Sequence, residues 1–338
     1  MKKGPTILYL ETEPPTHNAE LHTEFIRSVA TNGVINVVAI GPYFLKKIFS
    51  KYIYLNERID LYRQLDKAAA KVGADAILTY NKNGSWYGVK DNVSLYGWAE
   101  DAISRLSLPK IHITTDYCRD SYRQRQSDWF GDLGYSAAIF RHKVSAKYEC
   151  SVDKYWLPFS VDAKKYRNLS KRLHSSRLPK VSFAGTAFQF PDLYKKRIAA
   201  IRALEPAGLL STPRVVGKSG DRYQMIVGHG YQKFLARHRF GLTCGGTCNF
   251  MTAKYFQIPA SGSILVCPDT DGLNLFPKDS YVLFDENNPE DLISKINFYN
   301  KNKKYAEEVA GRLSNFVLKN HNNRVRGKGL LDILNNYT

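Results

Sequence analysis

Residues 245–268 read GGTCNFMTAKYFQIPASGSILVCP, and the rest of the chain is ordered around them. The apolar run Phe240–Cys244 predicts a buried strand that leads into the Gly-Gly turn. A helix is expected from about Phe250, stopped by Gly262, with a second apolar strand at Ser263–Cys267. Strand, glycine turn, helix and strand in that order belong to a doubly wound α/β unit. Glycines let the backbone approach a ligand, and the first N–H groups of a helix attract anions. A phosphorylated ligand is the implied occupant. Asn249 and Gln257 lie eight residues apart, roughly 12 Å along a helix axis.

Asn249, Gln257 and the IPASG that follows carry a resemblance. The segment resembles the nucleotide-sugar helix of GT-B glycosyltransferases, particularly the branch of spore-maturation-type enzymes. Many retaining members hold two glutamates, separated by seven residues, at these positions; here both are amides. An amide still accepts hydrogen bonds through its carbonyl oxygen and adds donors, so ribose binding is compatible with Gln257. The resemblance implies an α/β GT-B fold of two Rossmann-like, doubly wound domains facing each other across a cleft, with a C-terminal helix crossing back to the first. It implies a UDP-sugar as co-substrate, no further cofactor and no metal site. It also places Thr247, Cys248 and Lys254 with the donor. Ordinary uses stand beside these: Asn249 as a helix cap, Gln257 as a solvated helix position.

With 338 residues the chain exceeds the size at which one core stops growing, so two domains are expected. No run of 18 apolar residues occurs, and MKKGPTILYLETEPP turns acidic and proline-rich after a short strand. Neither a signal peptide nor a membrane span is expected, and the location implied is cytoplasmic. Five scattered cysteines fit reduced thiols, and Cys244 with Cys248 lack a second ligand pair for zinc. The net charge is +18, with 21 Lys+Arg against 17 Asp+Glu over residues 1–160 and 28 against 14 beyond. The densest basic cluster is Lys164, Lys165, Arg167, Lys171, Arg172, Arg177 and Lys180. Such a field favours polyanions: nucleic acid, anionic lipid or a phosphorylated donor.

Strand-like runs at Thr6–Leu10, Val34–Ile40, Ala76–Tyr80, Lys110–Thr115 and Ala137–Phe140, then Tyr155–Pro158, alternate with helical patterns at His17–Ala30, Asn56–Val72 and Tyr96–Leu106. That alternation implies a parallel sheet. The pattern restarts at VSFAG (181–185) with helix Asp192–Leu204, strand Arg214–Val216 and helix Tyr231–Arg239. Strand Tyr281–Phe284 and helices Pro289–Tyr299 and Lys303–Lys319 follow the opening segment. The expected division is residues 1–160, an acceptor domain; 161–179, a basic linker; 180–320, the nucleotide-sugar domain; and 321–338, the returning helix. LPFSVDAKKY (157–166) and HNNRVRGKGLLDIL (321–334) resemble the family's exit from the first domain and its closing helix.

Loops beyond the carboxyl ends of the strands are where ligands bind. Gly185 and Thr186 follow a strand, and Lys196 or Arg197 is the basic contact that the resemblance places at a donor diphosphate; a surface basic helix explains the same residues. Lys218, between Gly217 and Gly220, is placed beside the base. Asp271, in a D-x-D turn after the late strand, is placed near the sugar rather than on a metal. On the acceptor side, Asp116 ends a strand and is the expected catalytic carboxylate, orienting or deprotonating a hydroxyl. Arg119, Arg123 and Arg125, interleaved with Tyr117, Tyr122, Trp129 and Phe130, suit phosphate contacts and stacking. Glu13 and His17 of the first loop are secondary candidates.

The implied activity is retaining transfer of a sugar from a nucleoside diphosphate to a hydroxyl. The first acceptor is a hydroxymethylated base in phage-type DNA, because basic charge with arginine-aromatic loops is similar to phage DNA base glycosyltransferases. A surface glycan or lipid-linked acceptor at an anionic membrane, and an inactive sugar-nucleotide-binding protein, are the alternatives. The sugar, the nucleotide, the stereochemical outcome and the oligomeric state stay open.

Overall fold

A computed structural model describes residues 4–10, 25–33, 35–41, 52–54, 61–80, 103–114, 127–143, 145–170, 176–185, 187–188, 191–213, 226, 228–246 and 248–338. The chain divides into two units, Met1–Pro158 with Asn323–Thr338, and Phe159–Asn322. In the first, β1 (Thr6–Leu10), β2 (Asn36–Gly41), β3 (Tyr52–Tyr54), β4 (Ala76–Tyr80), β5 (Lys110–Thr114), β6 (Ala137–Phe140) and β7 (Asp153–Trp156) form one sheet. All its pairings are parallel, in the order β3-β2-β1-β4-β5-β6-β7. Helix α1 (Leu61–Val72) and helical residues 25–31 and 127–132 accompany it.

The second unit holds α2 (Ala163–Ser170), β8 (Leu178–Ser182), α3 (Lys195–Leu204), β9 (Leu210–Ser211), α4 (Gly228–Ala236), β10 (His238–Leu242), α5 (Lys254–Ala260), β11 (Ile264–Cys267), β12 (Val282–Leu283), α6 (Pro289–Lys301) and α7 (Lys303–Asn320). Its sheet is also parallel, ordered β12-β11-β10-β8-β9. The order reverses at β8, with β9 on one side and β10 on the other. This is a topological switch point, where open α/β sheets form their ligand crevice.

Strands such as β1, β4, β5, β6 and β11 are buried along nearly their whole length because helices cover both faces. Leu8 and Leu10 join Leu65 and Phe130 in one core of the first unit, while Ile7 and Tyr9 point to the other. The last helix, α8 (Asn323–Leu334), supplies Leu330, Ile333 and Leu334 to that second core. The final residues are pinned there too: Tyr337 Oη donates to Asp153 Oδ2 at 2.6 Å and lies 3.0 Å from Tyr155 Oη. Tyr337→Phe is expected to lower stability by about 1 kcal/mol. A shift of the urea midpoint checks this; an unchanged midpoint would show that the pin contributes nothing.

Several expected elements differ. The stretch 161–179 contains α2 and lies within the second unit, because Tyr166 and Leu169 are spaced to bury one helix face. The helix expected at Tyr231–Arg239 ends at Ala236, since the buried run from His238 pairs with β8 and β11. The second strand of this sheet is Leu210–Ser211, whereas residues 214–216 lie outside the described set. β3 was not anticipated from Tyr52–Tyr54. Asn288 does cap α6, its Oδ1 accepting from Asp291 N at 3.3 Å, with Pro289 at the first position. No helix among the described residues is long and apolar enough to cross a membrane.

Candidate functional site

The helix expected from Phe250 begins at Lys254 instead. Residues 245, 246 and 248–253 make a compact turn whose geometry explains the delay. Gly245 passes so close to Phe250 that a Cβ at 245 would stand 1.9 Å from the Phe250 carbonyl oxygen. Phe250 in turn bridges to Asp271, and Asp271 N donates to Asn249 O at 3.0 Å. Asn249 has φ 51°, in the left-handed region that asparagine tolerates better than most side chains. It therefore lies in a turn rather than on the helix, and the 12 Å axial spacing to Gln257 does not apply. What the turn does bring together is Asn249 with Asp271, two residues placed at the donor from the sequence. Beneath them, Tyr255 Oη donates to Thr270 Oγ1 at 2.8 Å, and Thr270 Oγ1 donates to Pro268 O at 2.9 Å.

The carboxyl ends of β8 and β10 flank the switch point, and two cations converge there. Gly185, three residues beyond β8, has φ +146°, and a Cβ on it would meet Lys254 Nζ at 2.6 Å and Arg197 Nη1 at 4.0 Å. The conformation calls for glycine, and a side chain there would displace the end of Lys254. Lys254 Nζ donates to Ala184 O and stands 5.7 Å from the centre of the Tyr231 ring. Arg197, in the first turn of α3, is buried at 6 % exposure; its Nη2 donates to Cys244 O at 3.2 Å. Its guanidinium stacks over Tyr194 at 4.0 Å and also faces Phe183. Burial, reinforced by Arg197, pushes the Lys254 amine down to about 7. An amine in that position gains a full charge when an anion arrives to share the site.

Lys196 does not join this pair: its Nζ lies 4.0 Å from Glu286 Oε1. Helical geometry decides between the neighbours, since one residue turns a side chain by about 100°. Gln257, one turn after Lys254 on the same face of α5, is buried at 8 % exposure and is not a solvated helix position. Cys248 sits half-buried in the turn; Cys150, Cys244, Cys248 and Cys267 are not joined in disulfides, and no cluster of metal-ligating residues occurs among the described residues. Asp116, Thr186, Lys218, Thr247, Glu13, His17, Arg119, Arg123 and Arg125 lie outside the described residues. Tyr194, Tyr231 and the Cys244 carbonyl were not found from the sequence. An aromatic three residues before Arg197 was the one available hint, and nothing in the chain pairs position 231 with 254.

The site is therefore a cationic cluster on one unit: buried Arg197 and half-buried Lys254 either side of Gly185, and a polar turn carrying Asn249 and Asp271. Such a cluster can accept a phosphate or diphosphate. Residues 197–332 match the family model described as Glycosyl transferase-like. No curated protein sequence matches the chain. Among solved structures, an alpha-glucosyltransferase in complex with UDP and a 13-mer DNA containing a central A:G mismatch aligns with TM-score 0.69 at 13% identity, covering 99% of this chain and 100% of that one. Anabaena HepE in complex with UDP and glucose aligns with TM-score 0.67 at 10% identity, over 98% and 100%. A glycosyltransferase from Rickettsia africae aligns with TM-score 0.63 at 10% identity, over 99% and 98%. The fold is the GT-B fold, and the glycosyl transferase-like match covers residues 197–332, most of them in the second unit.

Proposed function

From a GT-B fold whose second unit carries most of a glycosyl transferase-like match, we propose that the chain transfers a sugar from a UDP-sugar to a hydroxyl group, with retention, and that the hydroxyl belongs to a hydroxymethylated base in DNA. The observation that carries the donor half is the convergence of Lys254 and Arg197 on Gly185 at the switch point of the second sheet. Lys254 and Arg197 hold the diphosphate and meet the charge that develops on it as the bond to the sugar breaks. Gln257 and Asn249 supply amide groups for the ribose and sugar hydroxyls, and Asp271 stands beside the sugar. The leaving phosphate takes the acceptor's proton, so a protein base is not needed for the transfer; Asp116 orients the acceptor hydroxyl.

UDP is chosen because structural neighbours were solved with UDP or UDP-glucose. DNA is chosen because an alpha-glucosyltransferase of the same fold was solved with it, and because this chain carries a net charge of +18. The test is a transfer screen: UDP- and GDP-sugars, with hydroxymethylated and unmodified duplex DNA, read by nucleoside mass spectrometry. A mass gain of one sugar on the modified nucleoside is expected with a UDP-sugar. Release of UDP with no DNA product would reject the acceptor and move it to a surface glycan or lipid. Absence of both release and transfer, with UDP bound, would reject the enzyme.

A further inference from the structure

The basic cluster at 164–180 sorts into two kinds of residue once folded. Arg177 is buried at 4 % exposure, donating to Ser261 O at 2.9 Å and Ser263 Oγ at 3.2 Å, and burial lowers its pKa to about 10. It is an internal tie beneath Gly262. Lys164, Lys165 and Arg167 are exposed on α2, whose Tyr166 and Leu169 face inward. Helix α2 packs against α4, with Tyr166 close to Tyr231 and Gln232. Helix α4 buries Tyr231, Gln232, Leu235 and Ala236 and exposes His229 and Lys233, with Arg237 exposed just after it. Steps of four residues align these three as a stripe about 12 Å long. Lys180, exposed on β8, stands at the same end, since both it and Arg237 act electrostatically on buried His238. No Asp or Glu occurs from 163 to 191 or from 222 to 268.

We propose that the adjoining exposed faces of α2 and α4, with Lys164, Lys165, Arg167, Lys180, Lys233 and Arg237, dock the phosphodiester backbone of duplex DNA. The proposal rests on the DNA acceptor above and names where the second unit grips that DNA. Duplex DNA carries a phosphate every 3.4 Å of each strand, so a 12 Å stripe lies along about three or four of them. An acid-free pair of helices attracts that polyanion regardless of its sequence. A lipid leaflet is disfavoured because, of the large exposed apolar side chains among the described residues (Leu178, Phe188, Leu283, Phe298, Tyr305 and Val325), none is on α2 or α4, and Leu178 alone shares a strand with a residue of the surface, Lys180. Interfacial helices anchor by an apolar face opposite their basic one.

The test measures binding of an unmodified DNA duplex by fluorescence anisotropy across a salt series, with no donor present. Phosphate contacts appear as a linear dependence of log affinity on log salt, about 0.9 per contact. The variant Lys164→Gln/Arg167→Gln/Lys233→Gln/Arg237→Gln is expected to reduce that slope by about 3 to 4 and to weaken low-salt affinity at least tenfold. UDP affinity and the thermal midpoint stay those of the wild type. The charge-keeping variant Lys164→Arg/Lys233→Arg retains the wild-type slope, which separates loss of charge from loss of fold. An unchanged slope in the glutamine variant, or a wild-type chain that does not bind duplex, overturns the surface. Equal loss of binding to phosphatidylserine vesicles, with DNA binding intact, assigns the face to lipid and also overturns it. If the slope falls as expected while no sugar reaches hydroxymethylated DNA, the acceptor reading fails and the surface stands.

Discussion

Lys254→Met is expected to weaken UDP binding about 10- to 100-fold, the loss of one charge-assisted hydrogen bond to a phosphate oxygen. The larger signature is in its pH dependence. With the free amine near 7, the wild-type chain presents a cation below that pH and a neutral amine above it. UDP affinity should therefore hold steady below about pH 7 and fall as pH rises further, whereas the methionine variant shows no such fall. Stability should move the other way. The unfolded amine titrates near 10.5 and the folded one near 7, so between these values the unfolded chain binds more protons and stability climbs with pH. Below 7 both states are protonated, and the folded protein carries the full cost of the buried charge. Lys254→Met removes that cost, so the ligand-free variant should unfold at a higher temperature than the wild type, most clearly at pH 6 and least at pH 10. A protein that gains stability when it loses a ligand-binding side chain shows the usual trade at functional positions. Isothermal titration and thermal melts across pH measure both; a variant that melts lower than the wild type at pH 6 would show that the amine stabilises the empty site.

Gly245→Ala should cost about 3 kcal/mol or more and abolish UDP binding. The added Cβ would lie 1.9 Å from the Phe250 carbonyl oxygen and 2.5 Å from its nitrogen. Both are backbone atoms, so no rotamer change relieves the overlap, and the turn must open. Opening it separates Phe250 from Asp271 and Asn249 O from Asp271 N, which removes the polar turn from the site. Gly311→Ala is the matching control. It lies inside α7, and an added Cβ there meets nothing within 4 Å. That substitution should stabilise by about 0.5–1 kcal/mol, the helix propensity difference alone. Urea unfolding of the two variants should move in opposite directions, and a Gly245→Ala protein of wild-type midpoint would disprove the close approach.

The doubly wound pattern was legible because strands buried on both faces write themselves as continuous apolar runs. TILYL, AILTY and AAIF needed no partner to be recognised, and their spacing by helical segments required parallel pairing. The helix stop at Gly262, with φ +80°, and the cap at Asn288 were legible for the same reason: each is a local conformational demand met by one residue type. That Gly185 follows a strand and that Arg197 opens a helix was legible as well, because each lies next to a segment whose pattern is local.

Tertiary contact decided the remainder. The start of α5 moved from Phe250 to Lys254 because Phe250 is held by Asp271, twenty-one residues on in the sequence, and no local propensity encodes that bridge. Lys196 and Arg197 are equivalent as letters; Glu286 holds one, and the Cys244 carbonyl with the Tyr194 ring holds the other. Arg177 and Lys164 belong to one basic run in the chain, yet one is an internal tie and the other a surface charge. The sequence by itself determined the alternation of buried strands with helices and the excess of positive charge, since both follow from periodicity and composition. Which cations are buried against a glycine and which face solvent was decided only by folding, because burial and the pKa shift it brings depend on atoms distant in the chain.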